Sequence, residues 1–176
     1  MLLNRDELVS VLFRETDRAQ RTNMPLALIA VGLVGRECRQ ADWGTNLHDQ
    51  AEPRVVERIT QLLRCYDSVG RMADGEYILV LPGCGARNAK TLAGRLRDEV
   101  FAKPIEADGQ KARLNACYGV VASGGRSALV VLQEAENALR RARKEGADSI
   151  ECISTEAEFD PETFLLSVMQ DESLYW

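Results

Sequence analysis

The feature that most constrains this chain is the unbroken apolar run Leu26-Ala-Leu-Ile-Ala-Val31-Gly-Leu-Val34, introduced by Pro25. A strand with one face in water alternates apolar and polar residues. Nine residues without a charge or amide therefore ask for a strand covered on both faces. Helical stripes stand on either side in the chain. Leu8, Val11, Leu12 and Ala19 predict a helix over 6–21. Val55, Val56, Ile59, Leu62 and Leu63 predict another, with Pro53 in its first turn, where the missing N–H costs nothing.

The next signal is a hairpin. Tyr77–Leu81 is an apolar run closed by Pro82-Gly83, and Asp74-Gly75 before it suits a two-residue reversal with positive φ at both positions. Ala89, Leu92, Ala93, Leu96 and Val100 mark a third helix, and 114–122 a strand. Ser127 is placed to cap a fourth helix carrying Leu129, Leu132, Leu139 and Ala142, which Gly146 ends before a last strand at 149–153. Helices and strands alternating around a central hairpin give an α/β sandwich with a mixed sheet. The reading is one domain over 1–153 and an acidic tail over 154–176. In the tail, Asp160-Pro161-Glu162 starts a short helix with Phe164, Leu165, Val168 and Met169 on one face. That face either packs on the domain or docks a partner or second subunit.

Composition narrows the function. Net charge is −5, and residues 155–176 hold six acids and no base, so the remainder sits near about +1. A nearly neutral body argues against a general nucleic-acid binder. No run is long enough to span a membrane and no signal peptide opens the chain. Cys38, Cys65, Cys84, Cys117 and Cys152 are scattered without CxxC spacing, as reduced thiols in cytoplasm would be. The single histidine, His48, has no ligand pair beside it, so no metal site or cofactor is read from these residues.

Several spaced patterns over residues 3–153 resemble the GGDEF family, whose active members make cyclic di-GMP from two GTP. Leu3-Asn4-Arg5 is similar to the end of the family's opening motif, and "RAQRTNMPLALIAVGL" to its first-strand segment. Arg71-Met72 precedes Ala73, Asp74, Gly75, Glu76 and Tyr77, where the family carries R-x-G-G-D-E-F, and "LVLPG" follows. "CYGVV" and "AENALRRARKEGADSI" match the later strand and helix. The resemblance implies a palm-like α/β fold related to nucleotidyl cyclases, with a central mixed, mostly antiparallel sheet flanked by helices.

It also implies where the chain departs. The two carboxylates that hold Mg²⁺ in active members fall on Gly32 (with Val34 beside it) and on Gly75, and glycine offers a hard cation no side-chain oxygen. Glu76 is kept and Asp49 falls where the family contacts guanine; Gln40, Asn46 and His48 stand in the same loop. Arg143 stands for a family lysine and Ala147 for an arginine, and Arg140, Arg141, Arg143 and Lys144 also read as a solvated helix end. The expectation is a degenerate domain that is not an enzyme. The family's inhibitory site, R-x-x-D, begins nine residues before the signature, and Arg64-Cys65-Tyr66-Asp67 stands at that spacing from Ala73. Four other R-x-x-D tetrapeptides occur, at 14–17, 39–42, 71–74 and 95–98, so position rather than pattern carries this. Arg95 lies on the following helix, where a second family arginine completes the site. Arginine's fork suits guanine O6 and N7, and a carboxylate suits the guanine N–H edge. The implied function is a cyclic di-GMP receptor using Arg64, Asp67 and Arg95. Two other readings stand beside it: a surface Arg–Asp pair in an interaction or dimerisation module without nucleotide, and a domain that still cyclises GTP.

Overall fold

A computed structural model describes residues 1–34, 45–107 and 109–153; side chains are described from residue 50 onward in the second helix, and not at 107, 110 and 112. Calls made on Gln40, Cys38 and the tail, and on the side chains of Asn46, His48 and Asp49, lie outside the described residues. The order is β1 (Leu2–Leu3), α1 (Arg5–Thr22), β2 (Leu26–Val34), α2 (Thr45–Leu62), β3 (Ser68–Ala73), β4 (Glu76–Pro82) and α3 (Ala86–Arg95). A π-helical segment, Leu96–Phe101, continues α3. Then come β5 (Ile105–Ala107), β6 (Gln110–Ala112), β7 (Asn115–Ala122), α4 (Ala128–Glu145) and β8 (Ile150–Ile153).

Six strands form one mixed sheet in the order β1-β3-β4-β2-β7-β8, parallel at the two outer pairs and antiparallel within. The apolar run is central, paired with β4 on one side and β7 on the other. Its alternate residues feed two cores. Ala27, Ile29, Val31 and Leu33 pack with residues of α2, α3 and the π segment. Leu26, Leu28 and Ala30 pack with α1 and α4 through Leu8, Leu12, Val131 and Ala135. Water is excluded from both faces, so every position of the strand is apolar.

Local chemistry fixes the helix ends. Asn4 Oδ1 accepts from the Glu7 amide at 2.9 Å while Glu7 Oε2 accepts from the Asn4 amide at 2.9 Å, a reciprocal cap that starts α1. Asn23, at φ 51°, stops it. At Gly119 the sheet and α4 come so close that a Cβ there would lie 2.5 Å from the Leu139 amide nitrogen of α4.

Three expectations are corrected, and two elements are new. Pro53 lies inside α2 rather than in its first turn, because the helix begins at Thr45. At the hairpin only Gly75 takes positive φ (71°), and the register slips between Arg71 and Ala73; a bulge absorbs the reversal. Ser127 stands at the start of α4 without a side-chain capping bond. The two-residue β1 and the β5–β6 hairpin were not anticipated.

Candidate functional site

Two regions at opposite ends of the central strands carry the residues singled out above. The first surrounds the signature hairpin. Gly32, late in β2, pairs in register with Glu76 of β4 and with Cys117 of β7, and the Leu33 amide donates to the Gly75 carbonyl at 2.8 Å. Arg143 reaches over from α4 and donates to Glu76 Oε1 at 2.7 Å. Its guanidinium fills the space a side chain at Gly32 would need: a Cβ there would meet Arg143 Nη2 at 2.6 Å. Arg143 is therefore an ordered member of this site, not simply a solvated helix end.

A second cluster braces the hairpin from behind. Glu52 of α2 accepts from the Tyr77 hydroxyl at 2.5 Å and is ion-paired with Arg71. Tyr77 is fully buried. Burial and then the Glu52 carboxylate push its hydroxyl well above the usual phenol range, so it remains a donor. Glu52 was missed by the sequence reading, because its partners lie 19 and 25 residues away and α2 must fold before they meet.

Mg²⁺ requires several oxygens. Among the described residues no cluster of three His, Cys, Asp or Glu converges on a point. Beside Gly32 and Gly75 stand the carboxylates of Asp74, next in the chain, and of Glu76, which pairs with Gly32 and is held by Arg143.

The second region lies before β3. Arg64 and Asp67 are brought together: Asp67 Oδ2 accepts from the Arg64 backbone amide at 2.8 Å and from its Nε at 3.3 Å. The Asp67 side chain is 2% exposed and that of Arg64 49%, so a buried carboxylate holds a half-free guanidinium. The guanidinium carbon lies 4.8 Å from the centroid of the Tyr66 ring, in cation–π range. Cys84, buried behind the turn, has its thiol pushed up by burial, an effect the Arg64 charge partly opposes. Arg95 stands apart at the end of α3, paired with Glu99 at 3.0 Å; among the described residues nothing links it to Arg64 or Asp67.

With this geometry in view, the family model described as "Diguanylate cyclase, GGDEF domain" matches residues 1–149. The chain belongs to the GGDEF family. Diguanylate cyclase DgcP of Pseudomonas aeruginosa is 26% identical over 151 residues, and diguanylate cyclase DosC of Escherichia coli 27% identical over 152. Each alignment covers 85% of this chain, which spans 22% and 33% of the two relatives' own lengths. Among solved structures, the GGDEF domain of DgcB from Caulobacter crescentus in complex with c-di-GMP superposes with a TM-score of 0.77 at 20% identity, covering 86% of this chain and 88% of that one. The six-stranded mixed sheet with four flanking helices is the palm-like fold that the resemblance implied.

These comparisons correct one expectation. Two glycines at the carboxylate positions had led to the reading that this domain is not an enzyme. The matching family model and both relatives carry the name of a diguanylate cyclase, which overturns that step. Among the described residues no helix is long and apolar enough to cross a membrane.

Proposed function

We propose that this GGDEF domain is a cyclic di-GMP signalling module that binds the dinucleotide at the Arg64–Asp67 turn and acts as a receptor. We assign the domain to residues 1–153 and treat 154–176 as a separate acidic tail. The observation that carries the reading is the Arg64 guanidinium: half exposed, aligned by a buried carboxylate and seated on the Tyr66 ring. That arrangement offers a bidentate donor to a guanine O6/N7 edge and a flat surface for its face. Arg95 completes the site by turning from Glu99, with which it forms an exposed pair of little energetic weight. A related domain, that of DgcB, is described in complex with the same dinucleotide.

Calorimetric titration with cyclic di-GMP tests this. One bidentate arginine–guanine contact is worth about 1–3 kcal/mol, so Arg64→Ala weakens binding roughly ten- to a hundredfold. Arg14→Ala, which breaks a tetrapeptide lookalike, leaves it unchanged. No heat at hundreds of micromolar ligand, or equal binding by wild type and Arg64→Ala, refutes the site. That result favours the alternative, an interaction or dimerisation module without nucleotide. The exposed side chains of Phe13, Leu129 and Val130 on α1 and α4 speak for that alternative.

A further inference from the structure

The last strand ends beside an exposed apolar patch. β8 pairs with β7 so that Ile153 lies opposite Val121, and Ile153 packs against the core under α1 and α4. α4 starts at the same end of the sheet, reached from β7 through the turn at 123–127. In its first turn Leu129 is 61% exposed, and Val130 is exposed as well. Phe13 of α1 is 48% exposed. Gln20, two turns further along the same side of α1, donates from Nε2 to the Gly125 carbonyl at 3.1 Å. That side of α1, Phe13 included, therefore faces the start of α4.

The outer stripe of α4 changes character along its length. Helical spacing puts Leu129, Gln133, Arg140 and Lys144 on one side, away from the buried Ala135, Ala138 and Ala142. The stripe is apolar where the helix begins and basic where it ends. The sequence after Ile153 has a matching order: Phe164, Leu165, Val168 and Met169, then Asp171 and Glu172. Laid along α4 from its start, that segment sets apolar on apolar and acid on base. Residues 154–163 separate Ile153 from Phe164. A connection of that length spans about 17 Å as a flexible chain, and so short a tether gives a local concentration of about millimolar.

We propose that residues 160–172 dock as a helix along the outer face of α4. Phe164, Leu165, Val168 and Met169 cover Phe13, Leu129 and Val130, while Asp171 and Glu172 meet Arg140 and Lys144. The contact removes exposed apolar surface from water and pairs the acids of the tail with the free end of a basic helix. It also ties the tail to the signature hairpin, because α4 is the helix whose Arg143 bonds Glu76. The assignment is independent of the cyclic di-GMP reading.

The test uses the full chain, at low and at high protein concentration, with backbone amide NMR and melting curves as readouts. Leu165→Ser shifts the amides of Phe13, Leu129 and Val130. Leu129→Ser and Leu165→Ser each lower the melting temperature by roughly 2–4 °C, and together no further than either alone. Arg140→Glu gives the same amide shifts, and Asp171→Lys with Glu172→Lys reverses them. All of these effects are independent of protein concentration. Unshifted amides, or losses that add in the double variant, overturn the docking. Shifts that grow with protein concentration give the face to a second copy and overturn it equally. An Arg140→Glu chain that behaves as wild type overturns the alignment along α4.

Discussion

Arg143 and Glu76, 67 residues apart in the chain, meet at 2.7 Å directly above Gly32. The contact ties the last turns of α4 to the first residue of β4, and it exists because residue 32 has no side chain. Gly32→Ala would push a Cβ to 2.6 Å from Arg143 Nη2 and 3.0 Å from Leu139 Cδ1. Both are ends of flexible side chains, so the expected cost is about 1 kcal/mol, at the low end for overpacking. Gly119→Ala is the contrast. There the new Cβ meets α4 backbone at three atoms, 2.5 to 2.9 Å away, and helix and sheet must part. It should cost at least ~3 kcal/mol. Denaturant melts of the two variants check the order; equal losses would show that α4 is not held against β7 in this way.

The Tyr77–Glu52 bond should be worth more than an ordinary surface contact. Glu52 is a 15% exposed carboxylate whose second partner is Arg71. Tyr77→Phe leaves Glu52 Oε1 without its donor and is expected to cost about 2 kcal/mol, the range for hydrogen bonds to charged groups. In a domain of this size that lowers the melting temperature by roughly 4–8 °C. A variant as stable as wild type would mean that Glu52 finds water instead.

Alkali should unfold the domain through the two buried phenols of the described residues, Tyr77 and Tyr118. Burial, with the Glu52 contacts at Tyr77 and nearby Asp148 at Tyr118, raises both folded-state pKa values above the ordinary one of about 10. The folded chain keeps these protons where the unfolded chain loses them. Stability from this source is therefore complete below about pH 10 and is lost as pH rises, by about 1.4 kcal/mol per unit for each tyrosine. Absorbance at alkaline pH should show Tyr77 and Tyr118 ionising only together with the loss of circular dichroism. Tyr118→Phe should flatten the fall. Ionisation of both in an intact fold would contradict the burial argument.

The main strands were legible because each carries its environment in its own residues. The run from Leu26 to Val34 needs two covered faces, and Gly146 ends a periodic helix. What was not legible depends on distance. Leu2–Leu3 becomes a strand only by pairing with Val69 and Gly70, and the β5–β6 hairpin is too short for any period. Pro53 misplaced the start of α2, since a proline inside a helix and one opening it look alike in sequence. The contact between Arg64 and Asp67 is local, three residues apart in the chain. Glu52, and the placement of Arg143 over Gly32, arise from contacts across 19 to 67 residues.

The same turn yields a final prediction, because its two charged residues have different burdens. Asp67 is buried and accepts from the Arg64 amide as well as from its side chain. Asp67→Ala should open the turn and cost about 1–2 kcal/mol, as the loss of a capping acceptor does. Arg64 gives the turn little beyond a half-exposed ion pair, so Arg64→Ala should change stability by less than about 1 kcal/mol. For cyclic di-GMP the order reverses. On the proposed reading Arg64 supplies the base-reading donors, and its loss should weaken binding more than tenfold at nearly unchanged melting temperature. Asp67→Asn, which keeps an oxygen for the Arg64 amide, should restore much of the stability while leaving the guanidinium without its carboxylate partner. Melting curves and titrations measured on the three variants together separate the roles. If Arg64→Ala destabilises the fold as much as Asp67→Ala does, and binding falls in proportion, then Arg64 serves the turn rather than the ligand.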